Sequence, residues 1–505
     1  MKIPSSELAT PRLATNEEAL LKCQRSLDLK DRGDYEGARK AMNPLWTVVG
    51  KRPETKGLHQ SVVAEVLLCV GILTRWIGSR NQIRETQDIA RDLISESLTL
   101  YEVAGDLKKV ASAQAELAYC YWREGALDEA RIMFKEALAK LTIEGNTRAN
   151  ALLGLAVVEW SASRFSESLA LLGDNASLFQ RIPNHAIKGA YHSQLAMVMR
   201  NLVPPEKPVE YFKRLLKEYE QADRHFKLAH NVIFRADVKN NIGNVLRELG
   251  RYKEAHTYLE QARRLRTGVR DKVGIAQIDD TRAQVLIAEK KFKEAEGTSR
   301  NAVRALEKSG HQCLLTDALI THGIALARLK RADPAQFTFQ KAIEVARQVG
   351  AFNKAGLAAL TMVEELEELS SDTLCAAYDR ASEWLVNSQS QDLLLRLNAA
   401  ARTVFSRMRA GAPANANMVE DPIEAILNKP CDLQDEVLKF EGSVIRRALA
   451  KANGSLTRAA ALLSMSYQAL AYILESRQKD LLKERTPIRR RARRERSTQS
   501  AQQQS

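Results

Sequence analysis

Near the C-terminus, hydroxyl, amide, phenol and guanidinium side chains recur at helical spacing. Ser455, Thr457 and Arg458, then Ser466, Tyr467, Gln468, Tyr472 and Arg477, all fall within "SLTRAAALLSMSYQALAYILESR". A basic run with Arg489, Arg490 and Arg491 at its centre follows. Hydroxyls at helix starts, together with free N-terminal amides, bond phosphate oxygens. Side chains on an outer helix face can reach base edges. A second candidate pair, Asn240 and Asn244 in "KNNIGNVLRELG", lies one helical turn apart. Catalytic chemistry has no comparable footing. The chain pairs no nucleophile with a base and has no HExxH or GxxxxGK[ST] stretch. His225, His230, His256, His311 and His322 lie at scattered phases. The six cysteines (Cys23, Cys69, Cys120, Cys313, Cys375 and Cys431) form no CxxC pair, so they are expected as buried thiols in a reducing compartment. No enzyme activity, cofactor or metal is expected.

Charge points to the same end of the chain. The net charge is +14 over 505 residues. From Val437 to Ser505 there are 15 Lys and Arg against 5 Asp and Glu, or +10, which leaves +4 for the preceding 436 residues. Charge segregated in this way implies a local anionic partner. The last stretch, "KDLLKERTPIRRRARRERSTQSAQQQS", is poor in apolar residues and is expected to be disordered alone, tracking phosphate or a minor groove. No uninterrupted apolar run reaches membrane-spanning length, and the N-terminal residues lack the apolar core of a secretory signal. A cytoplasmic location is the expectation.

These groups need elements to position them, and the composition, rich in Ala, Leu, Arg, Lys and Glu, favours helix. Several segments repeat one pattern: a small residue in a first helix, an acidic turn, then Ala where a second helix crosses. "AELAYCYWREGALDEARIMFKEALAKL" sets Ala118 and Tyr121 against Ala130, Phe134 and Ala137. "NNIGNVLRELGRYKEAHTYLEQARRL" does the same with Gly243, Leu246, Ala255, Leu259 and Ala262. Ala255, Ala295 and Ala335 follow one another at a step of 40 residues. Each helical pair leaves an apolar face open, so pairs must stack into a superhelix. The pattern resembles the tetratricopeptide repeat in a long form, with eight to ten pairs across residues 15–410. In such repeats, asparagines placed like Asn240 and Asn244 hold the backbone of an extended peptide; the alternative is that they satisfy buried polar groups between helices.

The composition changes at "GAPANANMVEDPIEAILNKPCDLQDE" (411–436), which reads as a linker with one short helix at "PIEAIL". In the unit over 437–482, Val437, Phe440, Val444, Ile445 and Leu449 form a helical stripe that stops at Asn453-Gly454. Ser455 and Ser466 are the expected caps of two further helices, the second running through "YQALAYILESRQKDLL". Ala460 occupies the helix contact; Ala459, Leu463, Met465, Leu470 and Ile473 form the inner face. Tyr467, Gln468, Ala471, Tyr472 and Glu475 form the outer one. This set resembles the Fis-type helix-turn-helix over about 40 residues, and the resemblance implies DNA binding, usually by a dimer assembled partly through the preceding helix. Where that family favours a turn glycine this chain has Ser464; where it favours Arg and Thr at the recognition helix it has Tyr467 and Ala469.

The resulting expectation is an all-α chain: a solenoid over 15–410, a linker, a helix-turn-helix over 437–482 and an arginine-rich tail over 483–505. Its partners would be double-stranded DNA, a protein or peptide in the solenoid's concave face and a second copy of the chain. The implied role is a bacterial-type transcriptional regulator. A solenoid scaffold whose last unit only oligomerises, and an RNA adaptor using the tail, remain alternatives.

Overall fold

The computed structural model describes residues 10–83, 85–203, 208–386, 391–411 and 432–484, and every regular element among them is helical. The chain divides into two compact units at Gly411. In the first, α1 (Thr10–Asp31) pairs with α2 (Tyr35–Ala41), α3 (Gln60–Asn81) with α4 (Thr86–Val103), and α5 (Leu107–Glu124) with α6 (Leu127–Lys140). Next come α7 (Asn146–Ser161) with α8 (Phe165–Asp174) and the short α9 (Ala176–Arg181), then α10 (His185–Arg200) with α11 (Pro208–Leu228). The regular stretch comprises α12 (Val232–Glu248) with α13 (Tyr252–Gly268) and α14 (Lys272–Ala288) with α15 (Phe292–Glu307). It continues through α16 (Gln312–Arg328) with α17 (Ala332–Gln348) and α18 (Phe352–Glu365) with α19 (Ser371–Leu385); α20 (Gln391–Gly411) follows alone. Pro208 opens α11, where its missing N–H costs nothing.

The small-residue pattern explains the packing. Ala255, Ala295 and Ala335 are fully buried, as are Leu259 and Phe339 against Gly243 and Gly323 of the preceding helices and Phe134 against Gly154 of the following one. A Cβ on Gly243 would lie 2.7 Å from Leu259 Cγ, and one on Gly323 the same distance from Phe339 Cε1. Burying Phe339 contributes about 1.5–3 kcal/mol, and only a residue without a side chain on α16 permits it. The turns repeat too. Gly250, Lys290 and Lys330 take left-handed backbone (φ 70°, 64° and 59°) at one place in three successive repeats.

Three helix caps connect distant repeats. Asn184 Oδ1 accepts from the Ile187 amide (3.2 Å) while its Nδ2 donates to Asp31 Oδ2 (3.1 Å). Asn231 Oδ1 accepts from the Phe234 amide (2.9 Å) and its Nδ2 donates to the Asp31 carbonyl (2.8 Å). Asp271 accepts from the Gly274 amide (3.0 Å) and from Arg80 (2.8 Å), and His311 Nε2 donates to the Arg80 carbonyl (3.0 Å). The superhelix thus brings its first two pairs against its fifth to eighth.

Two expectations need correction. By length and composition α3 is apolar enough to cross a membrane, but 78% of that stretch is buried in the solenoid, where α1, α4 and α5 pack on it. Cys23, Cys69 and Cys120 are buried, whereas Cys313 is exposed and Cys375 half-buried; Cys431 lies outside the described residues.

In the second unit, α21 (Leu433–Lys451) begins inside the expected linker, followed by α22 (Leu456–Leu462) and α23 (Tyr467–Ser476). The last helix does not run on through "KDLL": it stops at Ser476 and a 3-10 turn, Lys479–Glu484, brings Leu481 into the core. The "PIEAIL" helix and the arginine run lie outside the described residues.

Gly323→Ala should lower stability by about 1–3 kcal/mol in denaturant unfolding, because Phe339 cannot yield freely. Gly297→Ala, a helical site with nothing within 4 Å, should raise it by about 0.5–1 kcal/mol. Asp280 on α14 gives a pH signature. Burial, then the Asp317 charge, pushes its carboxyl up to about 7 against hydrogen bonds from Thr321 and Gln284. Folding therefore penalises the ionised form: the penalty is small near pH 4, grows as pH rises toward 7 and is complete above it. Asp280→Asn should raise the unfolding midpoint at pH 8 and change it little at pH 4; an equal gain at both would contradict the assignment.

Candidate functional site

Two sites deserve separate description, one in each unit. In the second unit, Ile445, Leu449, Leu456, Ala459, Ala460, Leu470, Leu474 and Leu481 are buried together. Ala460 sits at the helix contact as expected from its size. Leu474, four residues after Leu470, is the fully buried partner on α23, whereas Ile473 and Ala471 are only partly buried. Leu463 and Met465 pack at the rim of the same core. Ser464 adopts φ 54°, the left-handed turn that a glycine would take more easily.

The two helix starts differ. Ser466 caps α23, its Oγ accepting from the Ala469 amide (3.1 Å). Ser455 occupies the cap position of α22 but its side chain makes no capping hydrogen bond, so the expected cap is made by backbone conformation alone. Both hydroxyls nevertheless sit at helix N-termini, beside amides left without intrahelical partners. Thr457 and Arg458 are exposed on the first turn of α22. Tyr467, Gln468 and Tyr472 are exposed on α23, with Tyr472 at 73%. The spacing of positions 468 and 472 places them one above the other along a single face of the helix.

Arg477 is also engaged within the unit. It pairs with Glu441 on α21 at 2.6 Å, and its neighbour Gln478 donates to the Leu438 carbonyl (2.7 Å). These contacts tie the end of α23 to α21, while the Arg477 side chain stays 54% exposed. Gly442 leaves room for this contact, since a Cβ there would meet the Gln478 Oε1 at 2.7 Å and the side chain would have to shift. The apolar stripe of α21 also divides. Ile445 and Leu449 are buried, but Val437, Phe440 and Val444 are 58%, 72% and 36% exposed. Arg489, Arg490 and Arg491 lie outside the described residues.

In the solenoid, Asn240 on α12 is 7% exposed and its Oδ1 has no hydrogen-bond partner among the described residues; Asn244 is half-buried. Reading the sequence missed a more developed feature. The C-terminal end of α1 and the first helices of later pairs enclose a cavity of about 240 Å³. Trp76 stacks on Tyr35 (ring centres 5.9 Å apart) and meets Phe234 edge-on (6.1 Å), which places side chains from α2, α3 and α12 together. Tyr119 and Trp122, three residues apart on α5, complete the aromatic lining. Arg75 pairs with Glu116 (2.6 Å), and Arg123 lies over the Trp122 ring. The sequence signal was the Tyr119/Trp122 spacing, overshadowed by Ala118 and Tyr121, which carry the repeat signature.

Comparison with known proteins agrees with both units. A tetratricopeptide-repeat model matches residues 235–269, and a model of the bacterial regulatory protein Fis family matches residues 437–475. No curated protein matches the chain. Among solved structures, a Rap protein complexed with competence and sporulation factor is 14% identical, with a TM-score of 0.50 over 69% of this chain and 97% of that one. The quorum sensor NprR from B. thuringiensis in its apo form is 12% identical, with a TM-score of 0.43 over 67% and 98%. A signal-transduction ATPase from Pyrococcus horikoshii with a tetratricopeptide-repeat sensor is 14% identical, with a TM-score of 0.45 over 77% and 68%. At these identities the likeness concerns the fold. The chain therefore joins a tetratricopeptide-repeat solenoid to a C-terminal Fis-type helix-turn-helix.

Proposed function

We propose that this chain is a DNA-binding transcriptional regulator whose solenoid receives a protein or peptide signal, and that it acts by binding rather than catalysis. The observation that carries the reading is the outer face of α23. Its capped start carries Tyr467, Gln468 and Tyr472 exposed on a helix whose opposite face is buried. A carboxamide there can pair bidentately with an adenine edge, and the phenols can contact thymine methyls and phosphates. Thr457 and Arg458 supply backbone contacts, and the +6 carried by residues 483–505 adds salt-sensitive affinity. The exposed Val437, Phe440 and Val444 favour pairing of two copies through α21, because an apolar stripe left open on a helix is covered at a partner's stripe. A cytoplasmic location goes with this reading.

The test is equilibrium binding of the full-length protein to genomic upstream fragments and to random duplex across a salt series. Affinity should fall log-linearly with salt, and truncation after Thr486 should flatten that slope. Gln468→Ala and Tyr472→Ala should each cost about 1–3 kcal/mol on preferred fragments and much less on random DNA. Phe440→Asp should shift the protein toward monomer in sedimentation and weaken binding. Equal competition by random DNA, with both α23 variants indistinguishable from the parent, would reduce the protein to a scaffold with a basic end.

A further inference from the structure

The cavity in the solenoid has a composition that a packed core does not need. Its charged lining consists of Lys30, Asp31, Arg75, Glu116 and Arg123. Lys30 pairs with Asp31 (2.9 Å) and Arg75 with Glu116 (2.6 Å). Arg123 is left with no carboxylate among the described residues; its only close partner is the Trp122 ring, 4.8 Å from the guanidinium carbon. Arg123 lines the cavity and remains exposed to solvent. Desolvation, followed by the repulsion of Arg75, lowers its pKa to about 10. A cation so placed is under-compensated, and an anion entering the cavity would relieve it.

Two lining residues also carry buried polar atoms. Gln194 is 8% exposed and Arg75 3% exposed, and Gln194 Nε2 and Arg75 Nε have no hydrogen-bond partner among the described residues. Neither atom has accessible surface of its own, so these unsatisfied donors sit within the wall rather than on the space it bounds. Around them stand the rings of Trp76, Tyr119, Trp122 and Phe234. The space, about 240 Å³, is at the small end for a ligand site and suits one ring-sized body rather than a length of extended chain.

We propose that this cavity is a receptor pocket for a carboxylate joined to an aromatic or apolar body, met either as a free small acid or as the last residue of a peptide. Arg123 anchors the carboxylate, and the rings of Trp76, Tyr119, Trp122 and Phe234 flank the body. The inference rests on the sensing role proposed for the solenoid and narrows it to one chemistry. The pocket is built from residues on both sides of the closure made by Asn231, so occupancy bears directly on whether the first pairs stay docked on α12.

Calorimetric titration of the full-length protein tests it, with tryptophan fluorescence as a second readout because Trp76 and Trp122 line the pocket. The probes are N-acetyl-L-phenylalanine and its amide, and a tetrapeptide ending in Phe with a free or an amidated C-terminus. The acid forms should bind about tenfold or more tightly than the amides, and Arg123→Gln should abolish that preference. Arg123→Lys should retain part of it. Arg304→Gln, the same charge loss at an exposed site on α15, should leave it intact. Binding of the free acid alone, or of the acid-ended peptide alone, identifies the source of the carboxylate and supports the pocket either way. Equal binding of acid and amide, an unchanged preference in a folded Arg123→Gln protein, or no binding of any probe at millimolar concentration would overturn it. An acid preference stands whether or not the protein binds duplex DNA, so the pocket and the regulatory reading fail separately.

Discussion

The solenoid depends on a small set of side chains that do two things at once. Asn184, Asn231 and Asp271 each begin a helix with one oxygen and use the rest of the side chain to hold Asp31 or Arg80 in the first two pairs. A cap is a local device, normally contributing about 1 kcal/mol to its own helix. Here the same atoms span about two hundred residues of sequence, so helix initiation and superhelical closure are coupled. Asp271 illustrates the electrostatics. Burial would raise its carboxyl, yet the Gly274 amide and the guanidiniums of Arg266 and Arg80 hold it below the ordinary range. Its charge is therefore present at neutral pH, where it can hold Arg80.

Closure has a consequence for the interior. A stack of helical pairs left open would expose Tyr35, Trp76 and Phe234 along a groove, each a solvated aromatic of little specificity. Brought together, they wall a small space that also takes in the charges of Arg75, Glu116 and Arg123. Desolvation, followed by the repulsion of Arg75, is what lowers the Arg123 pKa to about 10. The chemistry of the interior belongs to the superhelix rather than to any one repeat.

The second unit solves a different problem with fewer residues. Its three described helices and the 3-10 turn after them share one small core, in which Ala459 and Ala460 allow α22 and α23 to approach. The tether from Arg477 and Gln478 back to α21 fixes the end of α23, and Ser466 fixes its start. An interaction helix held at both ends presents Gln468 and Tyr472 with little backbone freedom left to lose on binding. The half of α21 that carries Phe440 contributes nothing to this core, which separates the residues that fold the unit from those free to meet another molecule.

Much of this was legible in the residues themselves. Periodicity, the step from Ala255 to Ala295 to Ala335, and the Gly243/Leu259 and Gly323/Phe339 pairings determine the helical pairs, since close helix contact admits few side chains and leaves a regular mark. The position of the helix-turn-helix, its small contact residue and its exposed Tyr467, Gln468 and Tyr472 follow from the same short-range rules. What neighbours in sequence could not decide was decided by tertiary contact. Arg477 gained an ion pair with Glu441, Leu474 took the buried place assigned to Ile473, and the last helix ended early so that Leu481 could enter the core. The aromatic pocket with its unpaired Arg123 is the extreme case. Its walls come from residues 30 to 234, and only the summed rotation of successive pairs, which no local pattern encodes, brings them to one place.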